Sequence, residues 1–397
     1  MSLEMLTRKS FPFPLTPLLL LAGIFYLTFV ARVALAPLLP VMQKDLGLGL
    51  GEAGSLFLFI AAGYGVGLLG SGLVSSALNH RRAIILSSIM VGGAMLAISR
   101  SASANQMHAG LVLVGLSAGF YLPSGIATLT ELISKEHWGK AMAIHELAPN
   151  LGFITAPLLS EALLKIFSWR GALAVLGIFS ILMGVLYLLW GQGGKNRGEP
   201  PRFRSIQQII QSPSFWIMAA MFMVSIGSSI GVYTMMPLFL VNEIGMARGW
   251  ANTLIGLSRI FGIIILFFAG AITDRIGPRQ AMTLFLITTG VFTLLLGSLP
   301  GPVTTPVLLF LQAAAAACLF PVGFTILALT FPASLRNVAV SLIMLVGFLL
   351  GGGVVPSGLG YWAESFSFSS GLSLLGLLFL AMLPLFLLVG KRLKMPE

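Results

Sequence analysis

Twelve apolar runs, separated by short polar breaks, constrain this chain more than any other feature. A helix needs about 20 apolar residues to cross a bilayer. The runs cover roughly 16–42, 54–78, 83–100, 107–133, 141–166 and 169–191, then 213–241, 250–271, 281–299, 303–331, 337–365 and 368–390. Charged residues make up 9% of the 397, against about 25% in a typical soluble domain. A soluble enzyme of this size has no surface to make from so few charges. The pattern predicts an all-α polytopic membrane protein with twelve transmembrane helices. Pro37, Pro123, Pro157, Pro321 and Pro356 fall inside runs and predict kinks. The first run follows Arg8 and Lys9 as a signal peptide would, but it is too long and lacks a small-residue cleavage site. It reads as a retained helix.

The net charge of +11 raises nucleic-acid binding as a possibility, and its distribution argues against it. Of 23 Lys and Arg residues, sixteen fall in loops on one side. Five (Lys44, Arg100, Lys165, Arg170 and Arg248) fall on the other, and Arg32 and Arg259 lie inside runs. The bias places both termini in the cytoplasm. Trp138, Trp169, Trp190, Trp216, Trp250 and Trp362 all sit near run ends, where an aromatic belt is expected. One cysteine, Cys318, and four scattered histidines give no metal-site spacing, so neither metal nor cofactor is expected. No phosphate-binding Gly-x-x-x-x-Gly-Lys-Ser/Thr loop and no catalytic constellation is present, which argues against internal ATP drive and against an enzyme.

The most polar stretch, Gly191 to Arg204, divides the runs six and six. It predicts domains over 1–191 and 213–397 joined by a cytoplasmic loop, 192–212, with a short interfacial helix near Ser205–Gln211. The two sides match at an offset of 198. Asp45-Leu-Gly47 pairs with Glu243-Ile-Gly245, Gly72 with Gly270, Arg81 with Arg279, and Pro123-Ser-Gly125 with Pro321-Val-Gly323. Sustained matching at one offset indicates duplication of a six-helix unit. Parallel repeats of this kind place a substrate site between the halves, near the midplane.

Between runs 8 and 9 stands Gly270-Ala-Ile-Thr-Asp274-Arg275-Ile-Gly277-Pro-Arg279. It resembles the Gly-x-x-x-Asp-Arg-x-Gly-x-Arg loop of the major facilitator superfamily, and span count, central loop and repeat extend the resemblance along the chain. The resemblance implies two six-helix bundles, secondary transport by alternating access, a monomer in a cell membrane such as a bacterial inner membrane, and small-molecule and lipid partners. It also implies a cytoplasmic latch from Asp274, Arg275 and Arg279, with Arg81 as the first-half counterpart. The first-half copy departs from the pattern, with Ser76 and Ala77 in place of Asp and Arg. Neither the arginine of proton-coupled members on helix 4 nor the full antiporter signature on helix 5 is present.

Arg32 and Arg259 carry the functional expectation. A buried arginine inside a span is costly and usually faces a cavity or a partner. Its planar fork suits a carboxylate. With the family's cavity helices, the two arginines are expected to face one chamber and to bind a small organic anion, exchanged or moved with protons. The alternative for Arg259 is an ion pair with Glu146 on helix 5. Glu146, His145 and Asn150 are the proton-coupling candidates. Tyr121, Tyr233 and Gln312 are further substrate contacts, and Tyr64 is a weaker one. Efflux of drugs or amphipathic compounds by proton antiport is the alternative on the same fold. A non-transporting membrane sensor is the alternative of another class.

Overall fold

The computed structural model describes residues 15–199 and 203–390. Twelve helices are long and apolar enough to cross a membrane. In the first half they are α1 (Leu15–Leu46), α2 (Leu50–Leu78), α3 (His80–Ser99), α4 (Ala104–Leu132), α5 (Lys135–Leu164) and α6 (Trp169–Trp190). In the second they are α7 (Pro213–Glu243), α8 (Arg248–Ile276), α9 (Pro278–Ser298), α10 (Thr304–Thr330), α11 (Val338–Ser365) and α12 (Phe368–Leu387). Backbone polar groups find no partner in hydrocarbon, so helices that satisfy their own groups are the structure such runs can adopt. Arg8, Lys9, Arg202, Lys391, Arg392 and Lys394, counted in the loop bias, lie outside the described residues.

The helices extend past the apolar runs where the turn chemistry allows it. α1 continues through Gln43, Lys44 and Asp45 and stops at Gly47, whose φ of 65° is left-handed. Two residues later Gly49 begins a new cap, where its N–H donates to the Glu52 carboxylate at 3.1 Å. α1 is broken at Ala34, because Pro37 offers no N–H to the Val33 carbonyl. Pro123, Pro157 and Pro321 lie within continuous helices. Helices pack through small residues. A Cβ at Gly115 of α4 would stand 2.0 Å from the Ile60 carbonyl of α2, and one at Gly63 of α2 would stand 2.1 Å from the Val112 carbonyl of α4.

The duplication is visible in the backbone. Gly245 repeats the left-handed turn of Gly47, at φ 75°. Asn79 (φ 78°) occupies the place of Gly277 (φ 83°), an unusual conformation for a residue with a side chain. The Asn79 side chain accepts from the Arg82 N–H at 2.9 Å and so caps α3. Each half also fastens its last helix at both ends in the same way. Asp45 accepts from Trp169 Nε1 (3.0 Å) and Arg170 (2.5 Å) at the start of α6, and Glu243 accepts from the Phe368 and Ser369 N–H groups at the start of α12. Arg81 donates to the Leu188 carbonyl near the end of α6, and Arg279 to Leu387 at the end of α12, at 3.0 and 3.1 Å. Trp169 is therefore buried, where an interfacial belt position was expected.

The described part of the connecting segment before residue 200 packs on the first half. The His80 and Arg81 N–H groups donate to the Asn196 and Gly194 carbonyls, and Asn196 donates to Glu131. This strap covers the ends of α2, α3 and α4 on the termini side. A short helix, Phe203–Ile210, follows near the expected place.

Candidate functional site

The two halves are tied together at the face opposite the termini. Arg248 of α8 donates through Nε and Nη2 to Glu161 of α5, at 2.8 and 3.2 Å. Asn252 donates to the same carboxylate at 2.6 Å and to the Pro37 carbonyl of α1 at 3.2 Å. Asn242 of α7 donates to Gln43 of α1 at 2.9 Å. α2 and α11 meet through glycine, with a Cβ at Gly54 only 2.4 Å from the Pro356 carbonyl. No sequence motif singled out Glu161. The signal was an acid and a base at the same membrane level on two helices expected to adjoin.

Beneath this closure lies a cleft that holds Arg32. The Arg32 guanidinium stands 4.0 Å from the Tyr64 ring centre, 5.1 Å from Phe29 and 5.5 Å from Phe348. Helices α1, α2 and α11 thus wrap one cation in three aromatic faces, an attractive arrangement for a desolvated cation. The remaining walls are Val33, Phe57, Ile60, Ala61, Ile230 and Gly352. The cleft is narrow and open on one side, and its space reaches about 350 Å³ only when open solvent is counted in. Arg32 is 8% exposed, and its Nε has no hydrogen-bond partner among the described residues. The ion pairs among those residues are His145–Glu146, Arg170–Asp45 and Arg248–Glu161, so Arg32 has no carboxylate of its own.

Arg259 stands elsewhere. Its Nη2 donates to the Ser229 carbonyl of α7 at 2.9 Å, and its guanidinium lies 4.9 Å from both Phe153 and Tyr233. Ser229 belongs to a π-helical turn, Gly227–Gly231. Such wide turns frequently mark functional positions in helices. Gln312 of α10 donates to the neighbouring Ser228 carbonyl at 2.9 Å and to Thr293 at 3.4 Å. A second π turn, Phe348–Val354, lies opposite on α11, where Gly351 approaches Gly231. Arg259 and Gln312 therefore brace the irregular turn of α7.

The single chamber expected for both arginines is divided. Phe153 packs edge-on against Phe29 at 4.8 Å, so an aromatic pair stands between the Arg32 cleft and Arg259. Nor does Glu146 reach Arg259. The α5 residue facing Arg259 is Phe153, seven positions and about 10 Å along the helix from Glu146. Tyr233 donates to the Phe153 carbonyl at 3.3 Å and flanks Arg259, outside the cleft.

Tyr121, His145 and Glu146 form a line inside the first half. The Tyr121 hydroxyl lies 2.6 Å from the Leu21 carbonyl and 3.0 Å from His145 Nε2. Nδ1 of His145 lies 3.3 Å from Glu146 Oε1. Phe25 stacks on the imidazole at 4.5 Å. The short oxygen–oxygen contact needs the tyrosine proton, so Tyr121 donates to Leu21 and Nε2 carries a hydrogen toward Tyr121. His145 is fully buried, whereas the Glu146 side chain is 54% exposed. Asn150 donates to the Glu146 carbonyl of its own helix at 2.9 Å.

Asp274 and Arg275 are exposed at the termini end of α8. Arg81 and Arg279 hold helix ends within their own halves, as described above. Among the described residues, no group of three or more His, Cys, Asp or Glu side chains is placed to hold a metal.

Comparison with known proteins agrees with this architecture. A solved bacterial homologue of the human lysosomal transporter Spinster, captured inward-facing and occupied, superposes with a TM-score of 0.83 at 16% identity, covering 97% of this chain and 98% of that one. At that identity the likeness concerns the fold alone. The inner membrane transport protein YnfM of Escherichia coli is 23% identical over 40% of this chain and 38% of its own length. A probable hexose phosphate transport protein of Chlamydia pneumoniae is 25% identical over 42% of this chain and 36% of its own length. The matched stretches thus span little more than a third of either relative. The family model described as Major Facilitator Superfamily matches residues 19–310 and 249–396. With its twelve spans and duplicated halves, the chain belongs to the Major Facilitator Superfamily.

Proposed function

We propose that the protein moves a small organic anion, a carboxylate, across the membrane by alternating access. One observation carries the reading: the cleft between the halves contains one cation, Arg32, without a carboxylate partner. A buried charge is stable when paired. An anionic cargo supplies the missing partner and lowers the cost of closing the halves around it. Export of a cationic drug needs an acid in the cleft, and its lining contains none.

Proton coupling is the second part of the reading. The His145–Glu146 contact holds one proton at the edge of the first half, with an exposed carboxyl end through which it can exchange. Asn150 stands one turn along the same helix, where it donates to the Glu146 backbone carbonyl. Exchange against a counter-anion is the competing coupling mode. The loop charge bias supports cytoplasmic termini, and a bacterial inner membrane fits the relatives. In that orientation the ties around Glu161 close the outer face, and the conformation is inward-facing. The Asp274 and Arg275 latch then belongs to the opposite, outward-facing state. The protein acts as a monomer, since each chain contains both halves of the site.

The test is flux in proteoliposomes with a panel of carboxylates and inorganic anions, with and without a pH gradient. Arg32-dependent anion flux is expected. Normal transport by Arg32→Gln, or transport of organic cations only, overturns the anion reading.

A further inference from the structure

The make-up of the Arg32 cleft narrows the cargo beyond its sign, an argument that rests on the anion reading above. The cleft offers one positive charge and one neutral hydroxyl, that of Tyr64. Its other walls are hydrocarbon or aromatic: Phe29, Phe57, Ile60, Ile230 and Phe348. The face of the guanidinium is taken by the Tyr64 ring at 4.0 Å. What remains is the in-plane edge, where the buried Nε has no partner among the described residues. A planar carboxylate in the guanidinium plane fits that edge through two parallel hydrogen bonds.

One carboxylate uses up the only positive charge. A second anionic group on the same molecule would be buried without a counter-charge, and a row of sugar hydroxyls would meet carbon where it needs acceptors and donors. Sites discriminate strongly against ligands whose polar groups they leave unpaired. Apolar walls favour an apolar body of matching size. From this we infer that the protein carries amphipathic monocarboxylates, with one carboxylate on Arg32 and an aromatic ring or short hydrocarbon chain against Phe57, Ile60 and Phe348. Dicarboxylates, tricarboxylates and sugar phosphates are excluded as good cargo.

The experiment uses the full chain in proteoliposomes, with labelled benzoate as the probe. Competitors are octanoate, the neutral isosteres benzamide and octanamide, succinate, citrate and glucose 6-phosphate. Benzoate uptake is expected, with octanoate competing and each amide weaker by about 10- to 100-fold, the usual worth of a charged hydrogen bond. Succinate, citrate and glucose 6-phosphate should not compete. Arg32→Gln should abolish benzoate uptake. Should Arg32→Gln fail to fold, the amide comparison in the unaltered protein reads the same interaction. Arg32-dependent uptake of succinate or glucose 6-phosphate in preference to benzoate overturns the monocarboxylate inference and leaves the anion reading standing. Failure of every anion in the panel to be bound or moved overturns both.

Discussion

Arg248 grips Glu161 with Nε and Nη2, at 2.8 and 3.2 Å, across the boundary between the two halves. Glu161 also accepts from Asn252, so one carboxylate ties α5 to α8 and, through the Pro37 carbonyl, to α1. Among the described residues, no ion pair links the two halves on the termini side.

The first prediction concerns that tie. Glu161→Gln keeps the side-chain shape but removes the charge that holds three N–H donors. Bidentate charged hydrogen bonds exceed ordinary surface pairs in strength, though the arginine is partly wet. A loss of about 1–2 kcal/mol is expected, which shifts the ratio of closed to open forms by roughly 5- to 30-fold. Cysteine labelling on the face opposite the termini should rise accordingly in Glu161→Gln. Unchanged labelling would show that glycine packing between α2 and α11 holds that face alone.

A second prediction separates charge from shape at Arg32. Arg32→Lys retains a cation yet loses the planar fork and the flat stack on Tyr64. It should bind cargo at least about tenfold more weakly than the parent protein, with Arg32→Gln weaker still. Substrate-induced tryptophan quenching or thermal shift reads both. Equal binding by the lysine variant would indicate a point-charge role.

Arg259 should behave differently. It spends its guanidinium on the Ser229 carbonyl and on two aromatic faces. Arg259→Gln should lower stability by about 2–3 kcal/mol, from one charged hydrogen bond and the lost cation–π contacts. Adding Glu146→Gln should not restore it, because Glu146 stands two helical turns away. The melting temperature in detergent checks both statements, and rescue by the second change would revive the direct pair.

The fold was legible because a membrane leaves helices few alternatives, and twelve runs with a 198-residue offset specify their number and arrangement. Arg32 and Arg259 were legible for the same reason, since a charge inside a span stands out. What the sequence did not disclose was their separation. That depends on Phe29 and Phe153, two of 28 phenylalanines with nothing in composition to mark them. The π turn of α7 was equally hidden, because Gly-Ser-Ser-Ile-Gly reads as ordinary helix packing. Tyr64 ranked low because its importance comes from stacking on Arg32, a contact between α1 and α2 that no spacing rule predicts. Glu161 needed Arg248 beside it, and only the packing of α5 on α8 brings them together.

The last prediction concerns the proton between His145 and Glu146. Tyr121 gives its own proton to Leu21, so the imidazole must present Nε2–H to Tyr121, and Nδ1 is left facing a carboxyl oxygen at 3.3 Å. Neutral histidine beside an ionised glutamate would set two lone pairs against each other. A proton shared between Nδ1 and the carboxyl oxygen removes that clash, and it is the proton the coupling reading assigns to this pair. Glu146→Gln can donate an amide N–H to Nδ1 and satisfy the geometry without a transferable proton. Accumulation of cargo driven by a pH gradient should therefore disappear in Glu146→Gln, while exchange of labelled for unlabelled cargo at equal pH continues. His145→Gln should lose driven uptake as well, and Tyr121→Phe should weaken it by freeing the imidazole to adopt the other tautomer. Gradient-driven uptake that survives in Glu146→Gln would remove this pair from coupling and favour exchange against a counter-anion. Loss of both driven uptake and equal-pH exchange would instead assign Glu146 to the conformational change itself.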